Sequence, residues 1–167
     1  MAKLLKSKEQ NKRPDWDTYF LNVAEVVSTR STCFRNKVGA VIVKDKKIIS
    51  TGYNGAPKYQ KNCQEMGYCY RNRHKIKSGT SLEKCRAVGS HAESNAICLA
   101  AKDGSACEGG IIYVFGHVDI CPQCRAMIAN AGLLKALIRR PSGKLLKYDV
   151  KNWTLHSIDQ LTPEKEK

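Results

Sequence analysis

The chain has 167 residues, of which 42% are hydrophobic and 26% charged, as expected for a globular protein with one core. Its net charge of +14, from 29 Lys and Arg against 15 Asp and Glu, favours an anionic partner such as a nucleotide or a nucleic acid, although a solvated basic surface would give the same count. No run is long enough to span a membrane and residues 1–16 lack an apolar signal segment, so we expect a cytoplasmic protein whose cysteines are ligands or buried side chains.

The first third of the chain predicts an arm, a helix and a β-hairpin. Residues 1–13 are lysine-rich and polar, which indicates a flexible basic arm. A helix is expected from Pro14 to about residues 30–32, because apolar side chains recur at helical spacing: Trp16, Phe20, Val23, Ala24 and Val27. Two β-rich runs, 38–43 and 48–55, then flank a short polar turn and predict a hairpin.

The rest of the chain predicts alternating helices and strands. Residues 55–90 have little apolar periodicity and are expected to form an insertion loop. Helices are expected after His91 and after Cys121, ended by Gly104 and Gly132, with strands at 110–115, 134–138 and 145–150. This alternation predicts one layered α/β domain over residues 14–158, followed by a polar tail at 159–167.

Four residues in the middle of the chain predict a catalytic zinc site. His91 and the pair Cys121 and Cys124 supply three ligands, which leaves one coordination position open, as in catalytic rather than structural zinc sites. Glu93 lies two residues from His91 and is free to transfer protons. An H-x-E motif followed by C-x-x-C is the signature of zinc-dependent nucleobase deaminases. The alternatives are a redox C-x-x-C with an unrelated histidine, and a Glu93 that merely starts a helix.

Three stretches resemble the cytidine/deoxycytidylate deaminase superfamily, and within it the deoxycytidylate (dCMP) deaminases: STCFRNKVGAVIVKDKKIISTGYNG, CRAVGSHAESNAI and CPQCRAMIANAG. They occur in the family's order over roughly residues 15–140. The resemblance implies a three-layer cytidine deaminase-like α/β fold, in which a central mixed sheet of about five strands has helices on both faces. It also implies hydrolysis of dCMP to dUMP and ammonia in pyrimidine deoxynucleotide metabolism, with one catalytic Zn²⁺.

The resemblance carries roles onto matching positions. His91, Cys121 and Cys124 match the zinc ligands and Glu93 matches the proton-transferring glutamate. Asn54 aligns with an asparagine that touches the sugar, and Ala92 aligns with the position whose backbone faces the base. Arg30, Arg35 and Lys37 are candidates for phosphate contact, because their loop precedes the strand that leads to Asn54. Each of these, however, also fits a plain turn or a solvated basic loop.

Further family properties and departures follow from the same resemblance. It implies a homo-oligomer and nucleotide effectors such as dCTP and dTTP, the triphosphate accompanied by Mg²⁺. The family usually has Pro before the first Cys of the pair, where this chain has Ile120. The turn formed by residues 116–120 is also longer than the family's usual turn. These departures lie next to the expected pocket and bear on base specificity.

A second, structural zinc site is expected in the 55–90 insertion. The segment has few large apolar residues, yet it contains Cys63, Cys69 and Cys85 with His74 between them, and Cys33 could replace His74. Such a set would satisfy a closed tetrahedral zinc. The spacing is unusual for zinc, so buried cysteines are the alternative.

Three functions compete at this point. The first is a nucleotide deaminase acting on dCMP, or on another cytosine nucleotide such as dCTP. The second is a deaminase of bases in nucleic acid, which the basic charge suits but which the aromatic content of 7% disfavours, since it offers no stacking platform. The third is a zinc-stabilised binding module without activity, which Glu93 disfavours.

Overall fold

The computed structural model describes residues 13–77, 80–116 and 119–153. In chain order the helices and strands are α1 (Trp16–Ser28), β1 (Gly39–Lys44), β2 (Lys47–Tyr53), α2 (Cys63–Met66), α3 (Tyr70–Arg73), α4 (Ala92–Lys102), β3 (Ile111–Phe115), α5 (Pro122–Asn130), β4 (Lys135–Arg139) and β5 (Leu145–Asp149). The predicted arm, except Arg13, and the predicted tail at 159–167 lie outside the described residues. No helix in the described ranges has both the length and the apolar character needed to cross a membrane.

The five strands form one mixed sheet in the order β2-β1-β3-β4-β5. Only the β3–β4 pair is parallel, and the other three neighbouring pairs are antiparallel. Tyr53 at the end of β2 and Phe115 at the end of β3 both pair with Gly39, so β2 and β3 leave the sheet at the same edge. The predicted five-stranded mixed sheet is confirmed.

Helix α1 covers one face of the sheet. Asp15 begins the helix by accepting a hydrogen bond from the Thr18 backbone N–H at 2.9 Å. Phe20, Leu21 and Ala24 then pack with Val41, Val43, Tyr113 and Leu137 of the strands. A Cβ atom at Gly39 would overlap the Ala24 carbonyl, so glycine lets α1 approach β1 closely.

Helices α4 and α5 cover the opposite face. Their buried side chains, including Ala92, Ala96 and Ile128, pack on Ala40, Ile42, Ile112 and Ile138. The small alanines let the α4 backbone lie against the sheet, and a Cβ atom at Gly52 would overlap the Ala92 carbonyl. Helices on both faces of one sheet give the expected three layers.

The 55–90 segment is more structured than its sequence pattern indicates. It contains α2, α3 and a turn of 3₁₀ helix at Leu82–Lys84. Asn62 begins α2 with a capping box, in which the Glu65 backbone donates to Asn62 and the Asn62 backbone donates to Glu65. Arg71 is 7% exposed and donates from Nη2 to the carbonyls of Lys77 and Thr80. Capping and this arginine replace the apolar packing that the segment lacks.

Candidate active site

The candidate site lies at the sheet edge where β2 and β3 end. His91 occupies the position just before α4, and its backbone N–H donates to the Ser94 hydroxyl at 3.0 Å. Cys121 occupies the same position before α5, where Pro122 takes the first helical turn. Cys124 lies in that first turn, and its backbone N–H points to the Cys121 sulfur at 3.5 Å. Both helices therefore direct their positive ends at one point, which favours thiolates there.

The three side chains meet as a metal site requires. His91 Nδ1 lies 3.4 Å from Cys121 Sγ and 3.5 Å from Cys124 Sγ. All three ligand atoms lie within 4.8 Å of one another. A tetrahedral zinc with Zn–S of about 2.3 Å and Zn–N of about 2.0–2.1 Å separates nitrogen from sulfur by about 3.6 Å. The donor set and its spacing therefore fit zinc.

The pKa values of the three ligands respond to this crowding. Hydrogen bonding to the Cys124 thiol, and then to the His91 ring, lowers the pKa of Cys121 to about 4. The pKa of Cys124 is raised, because its thiol hydrogen-bonds to Cys121 and is buried. The pKa of His91 is raised by its hydrogen bond to Cys121. The lowered pKa favours the thiolate form of Cys121, which is the form that binds a metal cation.

Glu93 lies in the first turn of α4 beside these ligands. It is 7% exposed, and burial raises the pKa of its carboxyl group above the ordinary value because the charged form loses hydration. It is also close enough to Cys121, His91 and Cys124 for each to influence that pKa. A buried carboxyl with a raised pKa, placed beside a metal site, can both accept and donate a proton.

A cavity of about 280 Å³ opens onto His91, Glu93 and Cys121. Ala92 and Asn54 also line it. The Asn54 side chain accepts from the Val38 backbone N–H at 2.9 Å and donates to the Asn36 carbonyl at 2.9 Å. Asn54 therefore holds the 36–38 loop as part of the cavity wall.

Residues 14–139 match the family model described as the cytidine and deoxycytidylate deaminase zinc-binding region. The chain belongs to the cytidine and deoxycytidylate deaminase family. The family model and the His, Cys and Cys site together make this a zinc-binding domain.

Several deaminases of known name are similar to this family member. Deoxycytidylate deaminase of Mycobacterium phage D29 is 37% identical over 133 residues, which cover 78% of this chain and 98% of the phage protein. Deoxycytidylate deaminase of Schizosaccharomyces pombe is 36% identical over 123 residues, which cover 72% of this chain but only 36% of the yeast protein. The chain thus spans about a third of the yeast relative.

A solved structure shares the fold. The dCMP deaminase of cyanophage S-TIM5, crystallised in complex with dCMP and dUMP, is 30% identical with a TM-score of 0.57. The match covers 77% of this chain and 84% of the phage chain.

The family member's cavity has a basic wall that only partly matches the sequence prediction. Of the three predicted phosphate contacts, Arg35 lines the cavity, whereas Arg30 and Lys37 are exposed and outside its lining. Arg35 also donates from Nη1 to the Ile76 carbonyl at 3.1 Å. The other lining cations come from the 55–90 segment: Arg71, Lys84 and Arg86. Sequence reasoning missed these three, although the basic composition of the segment was the available signal.

Four cysteines line another part of the same cavity. They are Cys33, Cys63, Cys69 and Cys85. Burial, and then the neighbouring Cys69, Cys33 and Cys85, raise the pKa of Cys63 to about 11. His74 is exposed and its ring lies against Tyr70 at 4.1 Å. Cys33 therefore lies with the three cysteines of the insertion, whereas His74 is outside the cavity lining. Among the described residues, only His91, Cys121 and Cys124 bring three such ligand atoms within 4.8 Å.

Proposed function

We propose that this chain catalyses the hydrolytic deamination of dCMP to dUMP and ammonia, in pyrimidine deoxynucleotide metabolism. The observation that carries the proposal is the buried carboxyl of Glu93 beside a three-ligand zinc site in a cavity. Three ligands leave a coordination position open, which a structural zinc would not do. Similarity to named deoxycytidylate deaminases supports the choice of substrate.

In this proposal His91, Cys121 and Cys124 hold the zinc and Glu93 moves the protons. When bound, zinc supplies a nucleophile by lowering the pKa of a water molecule from about 15.7 towards about 7. Glu93 takes one proton from the attacking water and gives it to the ring nitrogen N3, while the water oxygen bonds to C4. Glu93 then passes the second proton to the amine, the C4–N bond breaks and ammonia leaves. One carboxyl serves both transfers because they are sequential.

The cavity wall is proposed to hold the base and the sugar. Ala92 directs its backbone to the base at the start of α4, and Asn54 contacts the deoxyribose. The bonds of Asn54 to Val38 and Asn36 support this role, because they hold its amide in one orientation. The amide oxygen keeps a second lone pair for a substrate hydroxyl.

The 5′-phosphate is proposed to bind the basic wall. Arg35 donates one N–H of its guanidinium fork to Ile76, and within the described residues its other N–H groups are available to a phosphate. Lys84 and Arg86 line the same cavity and add positive charge. Arg30 and Lys37, both exposed outside that lining, act at most by attracting the anionic substrate over a distance. Phosphate binding then orients the base at the reacting centre.

We also propose that Cys33, Cys63, Cys69 and Cys85 bind a second, structural zinc. All four line one part of the cavity, and none forms a disulfide. Four thiolates suit a closed tetrahedral zinc, and the metal would draw them together. The metal would also tie the 55–90 segment to the loop before β1. These two parts of the chain already make polar contacts, such as the bond from Arg35 to the Ile76 carbonyl.

The remaining expectations stay proposals. These are a homo-oligomer, regulation by dCTP and dTTP with Mg²⁺ accompanying the triphosphate, and a cytoplasmic location. Support comes from the family resemblance and from the eight cysteines, none of which forms a disulfide, as in a reducing compartment.

The test is an assay of ammonia release from dCMP, CMP, dCTP, deoxycytidine and an RNA oligonucleotide. The proposal predicts the highest kcat/KM for dCMP. A dominant activity on dCTP would move the assignment to another nucleotide, and activity on RNA alone would make the chain a nucleic-acid deaminase. No ammonia from any of them, with zinc bound, would leave a binding module and reject the proposal.

A further inference from the structure

Both backbone polar groups of Ile120, the residue before Cys121, form hydrogen bonds to side chains. The Ile120 backbone N–H donates to Asp119 Oδ1 at 2.8 Å, and the Ile120 carbonyl accepts from Arg125 Nε at 2.9 Å. The Ile120 side chain is buried in the core beneath α4 and α5. The peptide that leads into Cys121 therefore has no freedom to rotate without losing a contact.

The Asp119 carboxylate joins this turn to two other elements. Its Oδ2 atom accepts from Arg125 Nη2 at 2.9 Å and from the Tyr148 hydroxyl of β5 at 2.7 Å. The Arg125 guanidinium also lies over the rings of Tyr148 and Trp153, at 5.8 and 5.5 Å from their centroids. Two N–H groups of one planar fork thus bind a carboxylate and a backbone carbonyl, a geometry that lysine cannot reproduce.

The positions of these residues in the chain give the network its consequence. Ile120 directly precedes Cys121, and Arg125 directly follows Cys124. The bond from Arg125 Nε to the Ile120 carbonyl therefore closes a ring around both thiols. With each end of the four-residue segment tied to the other, the backbone that carries the two thiols is restrained from outside the pair.

We infer that Asp119 and Arg125 are positioning residues for Cys121 and Cys124, an inference that rests on the proposed zinc-dependent function. Neither residue is a member of the ligand set. They act by orienting the two thiols, as groups around a metal centre orient its ligands. Ile120 stands where the resemblance implies a proline, and the Asp119–Arg125 pair restrains the backbone that a proline ring would restrain.

The test is the rate of zinc release to a chromogenic chelator, measured with kcat, KM for dCMP and the melting temperature. Arg125→Gln is expected to release zinc about 10–100-fold faster, the range for removing a group that orients a metal ligand. Its kcat should fall while KM changes little, because Arg125, unlike its partner Asp119, is not among the residues that line the cavity. Tyr148→Phe removes one of the three bonds to Asp119 and should accelerate release less.

Arg139→Gln is the matched control. Arg139 also binds a carboxylate, a backbone carbonyl and an aromatic face, those of Glu25, Leu21 and Phe115, but against α1. It should lose stability without faster zinc release. A wild-type release rate in Arg125→Gln, or equal acceleration in Arg139→Gln, would overturn the inference. If Arg125→Gln does not fold, Asp119→Asn, which keeps one acceptor oxygen but no charge, replaces it with the rate of zinc release as the criterion, because Asp119 itself lines the cavity and can change KM.

Failure of this inference is separable from failure of the proposed function. Zinc release is measured without substrate, so a wild-type protein that deaminates nothing would reject the function while the release rates still decide the role of Asp119 and Arg125. Unchanged release beside normal wild-type dCMP turnover would reject the role alone.

Discussion

His91 Nδ1 lies 3.4 Å from Cys121 Sγ, although the two residues are 30 positions apart in the chain. The reason is that β2 and β3 leave the sheet at the same edge, where the N-termini of α4 and α5 converge. Two thiols and one imidazole meet there because the fold brings these two helix N-termini together.

Removing one thiol from this site should remove the zinc. Cys121→Ala is expected to lose both the catalytic zinc and the activity, because two ligands bind zinc far less tightly than three. Metal analysis of the purified protein, together with the dCMP assay, measures both. The exposed Cys98 on α4 supplies the control, since Cys98→Ala should keep both. A Cys121→Ala protein with full zinc content would place the metal elsewhere.

Replacing the buried acid should separate metal binding from chemistry. Glu93→Gln keeps the size of the side chain but cannot move protons, so kcat should fall by at least about 10²–10⁴-fold. Zinc content and melting temperature should stay near wild type. Glu108→Gln, at an exposed glutamate, is the control. Near-normal turnover in Glu93→Gln would remove Glu93 from the mechanism.

The second zinc site makes a prediction of stoichiometry. Fully loaded protein should contain two zinc atoms per chain, and Cys69→Ser should contain one while the catalytic zinc stays bound. Cys33→Ser should behave alike, whereas His74→Ala should keep two, because His74 is exposed against Tyr70. One zinc per wild-type chain would end this proposal and leave the catalytic site untouched.

The basic wall should distinguish a nucleotide from a nucleoside. Arg35→Gln is expected to lower kcat/KM for dCMP by about 10–150-fold, which corresponds to about 1.5–3 kcal/mol for a hydrogen bond to a charged group. Activity on deoxycytidine, which has no phosphate, should change little. Lys37→Gln is the control in the same loop, exposed and outside the cavity lining. An equal loss on both substrates would show that Arg35 acts through the fold.

Substitutions at two glycines, one facing α4 and one facing α1, should distinguish an effect on the site from a general loss of stability. Gly52→Ala places a Cβ atom against the Ala92 carbonyl and should displace the start of α4, which carries His91 and Glu93. Gly39→Ala makes the same kind of overlap with α1. Each should lower the free energy of unfolding by about 1–3 kcal/mol or more. Only Gly52→Ala should also weaken zinc binding and kcat, so equal losses in both variants would contradict the assignment.

Much of the fold was predictable because its signals are local. The start of α1 at Asp15, the hairpin and the starts of α4 and α5 depend on a few neighbouring residues. The hairpin turn shows the limit of such signals. Asp45 and Lys46 both have positive φ angles, as a type I′ hairpin turn requires, but the lysine stands where such turns usually have glycine.

The 55–90 segment was the least predictable part, because its order does not come from apolar periodicity. Arg71 ties residues 77 and 80 through its guanidinium, and Asn62 caps a helix of four residues. Side-chain to backbone bonds of this kind leave no repeating pattern in the sequence. The segment therefore reads as a plain insertion loop, although it supplies three cations and three thiols to the cavity.

The sequence by itself indicated the family, the candidate zinc ligands and the neighbouring acid, because ligand chemistry demands particular residue types at short spacings. Only the tertiary structure decided that Arg35, but neither Arg30 nor Lys37, faces the cavity, and that Cys33 joins the cysteines of the insertion. It alone connected Asp119 to Arg125 and Tyr148 around the metal ligands. The physical reason is that these contacts depend on where distant segments meet, such as Arg35 with the Ile76 carbonyl 41 residues away, and on which side of a loop a side chain packs.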